Sequence, residues 1–157
     1  MLTPLLLIGV GNPFRRDDGL GPAVLAALMP NAPKGVNFSV QSGEGSSLMA
    51  AWQGYERVLL IDAVCSGAPA GTLHVLDAIQ EAIPSRFFHY STHAFSVGEA
   101  IEMARALGEL PRQLTLLGIE GADFGSGQGF SPAVQAAWPE LLRRIQTQIA
   151  QGEHRDA

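Results

Sequence analysis

Residues 5–24, LLLIGVGNPFRRDDGLGPAV, decide the fold. Leu5 to Val10 is a continuous apolar run ended by glycines, Asn12 and Pro13, which suits a strand buried on both faces. From Leu20 the apolar positions Leu20, Val24, Leu25 and Leu28 recur at helical spacing, and Pro22 suits a first helical turn. A buried strand, a tight loop and a helix open an α/β unit. Between strand and helix stand two carboxylates, Asp17 and Asp18.

Glycines after a strand usually suggest a nucleotide phosphate, which adjacent carboxylates would repel. The dinucleotide fingerprint G-x-G-x-x-G needs its third glycine for close helix packing, and here Gly9-Val-Gly11-Asn-Pro-Phe14 has Phe14 at that place. The acid expected for a ribose about 20 residues further on is missing, since Glu44 comes too late. No Gly-Lys-Ser/Thr triplet of a P-loop occurs anywhere. Phosphate binding is therefore not expected.

The rest of the chain repeats the strand and helix alternation. Val36 to Val40 alternates apolar and polar residues as a strand, Ser46 to Trp52 is a short helix, and Val58 to Ile61 is a buried strand ending at Asp62. Thr72 to Leu76 alternates like an edge strand. Ser96-Val-Gly-Glu99 has the capping-box spacing, and Val97, Ala100, Ile101, Ala104 and Leu107 form the stripe of the helix it starts. Leu114 to Ile119 is a last buried strand, followed by a glycine-rich loop from Gly121 to Gly129. Ser131-Pro132 then starts a final helix to about Gln151. The alternation predicts an α/β fold with a parallel sheet. With no repeat or linker, residues 1–151 read as one domain and 152–157 as a flexible tail.

Composition agrees. Of 157 residues 46% are hydrophobic and 16% charged, the balance of a compact globular chain and not of a disordered one. A net charge of −5 argues against a nucleic-acid surface, which needs clustered Lys and Arg. One cysteine, Cys65, excludes an intramolecular disulfide and a thiolate zinc cluster, and it reads as a small buried filler. The N-terminal apolar run is too short for a membrane helix and has no basic flank for a secretory signal, so a cytoplasmic protein is expected.

In an open α/β sheet, ligands bind beyond the carboxyl ends of the strands, where strand order reverses. If the strands of Leu5 and Val58 are neighbours, the loops bearing Asp17-Asp18, Asp62 and His93 converge there. Two carboxylates and an imidazole without thiolate would hold a divalent metal only loosely, with coordination positions open. Each residue also has an ordinary reading. One aspartate of the pair could merely cap or be solvated, Asp62 could accept loop amides, and a histidine is more often structural than a ligand. His74, within the edge strand, and His154, in the tail, read as structural. His89 lies close enough to His93 to compete with it.

The ordered motifs resemble those of the hydrogenase maturation proteases. They are Gly9-Val-Gly11-Asn12 with Asp17-Asp18-Gly19-Leu-Gly21, then Ile61-Asp62-Ala63, Ser91-Thr-His93 before a helix, Gly118-Ile-Glu-Gly121, and Ser131-Pro132. The resemblance runs through nearly the whole chain. It implies a three-layer α/β sandwich of the phosphorylase/hydrolase-like kind, with a mostly parallel twisted sheet and helices on both faces. It further implies an endopeptidase that trims the C-terminal extension of a nickel–iron hydrogenase large-subunit precursor after nickel insertion. Carried over by position, the metal-contacting set is Asp18, Asp62 and His93, with Asp18 and Asp62 as the catalytic candidates and Asp17 and His89 secondary. The nickel would arrive inside the substrate, with no organic cofactor, and the protease would be a monomer that meets its partner transiently. The glycine-rich loop could close over the precursor's tail, or could be a mobile connector. A non-catalytic, nickel-dependent assembly factor for the same subunit is the alternative.

Overall fold

The computed structural model describes residues 4–88 and 93–156. Five strands, β1 (Leu5–Val10), β2 (Val36–Gln41), β3 (Arg57–Val64), β4 (Leu73–Asp77) and β5 (Gln113–Glu120), form one sheet in the order β2-β1-β3-β5-β4. The pairs β1–β2, β1–β3 and β3–β5 are parallel, and β4 lies antiparallel on the β5 edge. The mostly parallel sheet with helices on both faces is the architecture the sequence predicts.

Why the strands read so clearly follows from the layers. Parallel strands connected by helices are covered on both faces, and every residue of β1 and β3 is buried. Leu6, Ile8, Leu60 and Leu116 face α2 (Gly45–Trp52) and α3 (Val97–Leu107), sharing a core with Leu48, Trp52, Ile101 and Ala104. Leu5, Leu7, Leu59 and Ile61 face the opposite way. They pack with Leu20, Val24 and Leu25 of α1 (Leu20–Leu28) and with Leu141 and Ile145 of α4 (Pro132–Asp156). Leu107 departs from its expected stripe and is exposed. It stands in the last turn of α3, where the left-handed Gly108 ends the helix. The final helix continues beyond Gln151 through the stretch read as a tail, to Asp156.

The glycines of the opening stretch divide into two tasks. Gly9 lies within β1, not in the turn, and a Cβ there would stand 2.4 Å from the Gly21 carbonyl oxygen. Reciprocally, a Cβ on Gly21 would stand 2.5 Å from the Val10 backbone and 2.6 Å from the Ile61 carbonyl oxygen. The first turn of α1 thus rests directly on the backbones of β1 and β3. Gly21 performs the close packing that Phe14 cannot. Alanine is the better helix former by about 1 kcal/mol, but backbone atoms at 2.5 Å cannot yield as a flexible side chain would. Gly21→Ala is therefore expected to destabilise by about 2 kcal/mol net, read as a lower midpoint of urea unfolding with an unchanged slope.

Among the described residues, no helix is long and apolar enough to cross a membrane.

Candidate active site

Strand order reverses between β1 and β3. From β1 the chain moves through α1 to β2 on one side, then through α2 to β3 on the other. The β1–β3 pairing ends at Gly9 with Ile61, while β3 continues against β5 through Asp62 with Gly118 and on to Val64 with Glu120. Asp62 therefore does not close its strand, as its position after the apolar run suggested. It is the first β3 residue past the point where β1 turns away, and it is buried. A cleft of about 400 Å³ opens there, lined in part by Gly11, Arg15, Asp18, Ser42, Gly43, Asp62, Phe88 and His93.

Asp18 reaches this cleft because Gly11 has no side chain. Gly11 has φ +145°, and a Cβ on it would lie 1.8 Å from the Asp18 carbonyl oxygen. The loop from Asn12 folds back over that gap, and the Asn12 amide donates to Asp18 Oδ2 at 3.0 Å. Asp18 is 6% exposed. His93 enters from the opposite wall. A Cβ on Gly43 would lie 3.7 Å from its Cδ2, so the ring faces Gly43. The segment behind it is pinned to the start of α2, where the Gly45 amide donates to the Phe95 carbonyl at 2.8 Å. Ser96 and Glu99 then form the capping box of α3. The Ser96 hydroxyl holds the Glu99 carboxyl below its usual range, against a smaller upward push from burial.

Three elements distant in sequence thus bring Asp18, Asp62 and His93 to one cleft. Among the described residues, however, no group of three His, Cys, Asp or Glu side chains is gathered closely enough to hold a metal ion. His89, the competing histidine, lies outside the described residues.

Asp17 has a different task from its neighbour. It is fully buried and points into the glycine-rich loop. Its Oδ2 accepts the amides of Ala122 at 2.8 Å and Asp123 at 3.0 Å and the Ser131 hydroxyl at 2.8 Å, and its Oδ1 accepts the Ser131 amide at 2.8 Å. Burial would raise its pKa, but these hydrogen bonds together outweigh that and lower it below 3.8. The backbones join as well: the Arg16 amide donates to Gly127, the Gly127 amide to Phe14, and the Asp17 amide to Asp123. Arg16 also pairs with Asp123 at 3.4 Å. The loop from Gly121 to Gly129 is therefore held in place and does not cover the cleft in this structure. It is latched to residues 14–17, and none of its residues is among those lining the cleft.

One more residue differs from its sequence reading. Cys65 is exposed, because it lies just past the end of β3. His74 sits on the edge strand as expected, but its Nε2 lies 3.1 Å from buried Glu120, whose carboxylate also accepts the Ser66 amide and hydroxyl. That cluster ties the ends of β3, β4 and β5 together, and the His74 ring packs at 4.9 Å on Phe87, next to the cleft residue Phe88. Glu44, too distant to be a ribose acid, caps α2 by accepting the Ser47 amide at 2.7 Å.

Residues 41–148 match the sequence model of the hydrogenase maturation proteases. The chain belongs to that family. The protease is 26% identical over 145 residues to the hydrogenase 2 maturation protease of Escherichia coli K12, covering 90% of this chain and 87% of that protein. It shares 24% identity over 159 residues with the coenzyme F420 hydrogenase subunit delta of Methanothermobacter thermautotrophicus, covering 92% and 94% of the two chains. In three dimensions it superposes on the hydrogenase maturating endopeptidase HybD from Escherichia coli with a TM-score of 0.78 at 23% identity, over 94% of this chain and 93% of the other. That likeness establishes the shared fold. The matching family model and the Escherichia coli K12 relative are both named as maturation proteases, and the chain is accordingly a peptidase of this kind.

Proposed function

We propose that this protease removes the C-terminal extension of a nickel–iron hydrogenase large-subunit precursor once nickel has been inserted, and that it recognises the nickel the precursor carries. The observation that carries the reading is the convergence of Asp18, Asp62 and His93 on one cleft at the switch point of the sheet. Carboxylate oxygens and an imidazole nitrogen are suited to a divalent transition metal. Not gathered into a metal cage of their own, these groups would add ligands to a metal held by the substrate's cysteines. The metal would anchor the precursor and place the scissile bond, supplying orientation that a nickel-free precursor lacks.

On this reading the carboxylates also do the chemistry. Asp18 or Asp62 takes a proton from a water that attacks the scissile carbonyl, and that proton passes to the amide nitrogen as the C–N bond breaks. The Asn12 amide fixes the Oδ2 of Asp18. A monomer meeting its substrate transiently in the cytoplasm belongs to the same proposal. The test is a purified-component incubation. Nickel-loaded precursor is expected to lose its C-terminal peptide, whereas precursor bound but left whole would identify a non-catalytic assembly factor instead.

A further inference from the structure

The rim of the cleft carries an aromatic side chain that the chemistry does not use. Phe14 is 65% exposed, the most exposed of the large apolar residues described. It stands between Pro13 and Arg15, both of which line the cleft. Its backbone is held on both sides. The Phe14 amide donates to Asn12 Oδ1 at 2.9 Å, and its carbonyl accepts the Gly127 amide at 2.9 Å. Two residues further on, the chain is bound to the latched glycine loop through the Arg16 and Asp17 amides. Val40, 57% exposed, stands at the same carboxyl end of the sheet, one residue before Gln41, whose carbonyl accepts the Gly11 amide.

An exposed apolar residue on a loose loop needs no explanation. One on a loop fixed by backbone bonds is different, because the ordering cost of presenting it is already met in folding. Aromatic residues held rigidly in this way are what protein interfaces use as anchors. Other exposed apolar residues, Met29 and Met103, lie on or beside helices and not on the cleft rim.

We infer that Phe14 is a docking anchor for the protein substrate, inserting into an apolar pocket of the precursor beside the segment that enters the cleft. The inference rests on the proposed function for the identity of that partner, and it adds a contact that does not depend on the metal. Docking through Phe14 brings the precursor to the cleft, and Asp18, Asp62 and His93 then sense whether nickel is present.

The test uses metal-free large-subunit precursor, which this account has docked but uncut, so cleavage does not disturb the measurement. Binding to wild type, Phe14→Ala and Met103→Ala is followed by biolayer interferometry. Wild type is expected to bind, Phe14→Ala about thirtyfold more weakly, and Met103→Ala within about twofold of wild type. Equal binding by Phe14→Ala and wild type, equal losses in both variants, or no wild-type binding to the metal-free precursor would each overturn the inference. A parallel incubation with nickel-loaded precursor reports cleavage separately. Its failure would count against the peptidase reading and leave the docking result standing.

Discussion

Asp18→Asn is expected to lower precursor trimming by about a hundredfold or more while the protein stays folded. The exchange keeps the shape and one oxygen of the side chain, so the hydrogen bond from the Asn12 amide to Oδ2 survives in one amide orientation. What disappears is the negative charge. A neutral amide can neither take a proton from water nor serve as an anionic ligand to the substrate's metal. Folding should change little, because Asp18 is 6% exposed and relief of a buried charge offsets part of any lost hydrogen bonding. Asp62→Asn, at a still more buried position, should behave alike. His93→Ala should also abolish trimming by removing the one imidazole placed in the cleft among the described residues. Rates of peptide release, with circular dichroism as a control on folding, decide the matter. Trimming at the wild-type rate by these variants would remove the three residues from the site.

The adjacent aspartate should fail in the opposite way. Asp17→Ala is expected to cost about 3 kcal/mol of stability, the scale of breaking a buried network of charge-assisted hydrogen bonds. Three backbone amides and one hydroxyl lose their acceptor at once: those of Ala122, Asp123 and Ser131, and the Ser131 side chain. At this chain length the loss corresponds to a fall in Tm of roughly 10 °C. The carboxylate also gives the loss a pH signature. Its folded pKa lies below 3.8, so its contribution is present above that value and disappears as pH falls through the depressed folded pKa. Wild type and Asp17→Ala should therefore converge in stability in strong acid and differ most near neutrality. A constant difference across the acid range would assign the effect to packing instead of to charge. Residual trimming by Asp17→Ala at low temperature, where it is folded, would separate this latch from the role proposed for Asp18.

The contrast between neighbouring aspartates shows where sequence reasoning reaches and where it stops. Elements were legible because their signals are local. The apolar run of β1, the capping box of Ser96 and Glu99 and the Ser131-Pro132 start each lie within a few residues of one another. The convergence of Asp18, Asp62 and His93 also followed from topology, once β1 and β3 were taken as neighbours. Asp17 was not legible because its partners lie 105 to 114 residues away, and nothing local distinguishes it from Asp18. The glycine loop looked mobile for the same reason. Its composition was visible, but the bonds that pin it to residues 14–17 were not. Gly9 carries no local sign of its task either, since Gly21 rests on it from α1, twelve residues on. The Glu120 and His74 pair had no sequence signal either, since it forms across the β4–β5 register of His74 with Gly118.

On the proposed reading, this cleft senses a metal carried by its substrate. The most direct measurement incubates wild-type protease with nickel-loaded and nickel-free precursor side by side and follows the C-terminal peptide by mass spectrometry. Release is expected from the loaded precursor alone. Equal release from both would show that the metal is not what the site recognises, and an intact loaded precursor would contradict the peptidase reading itself.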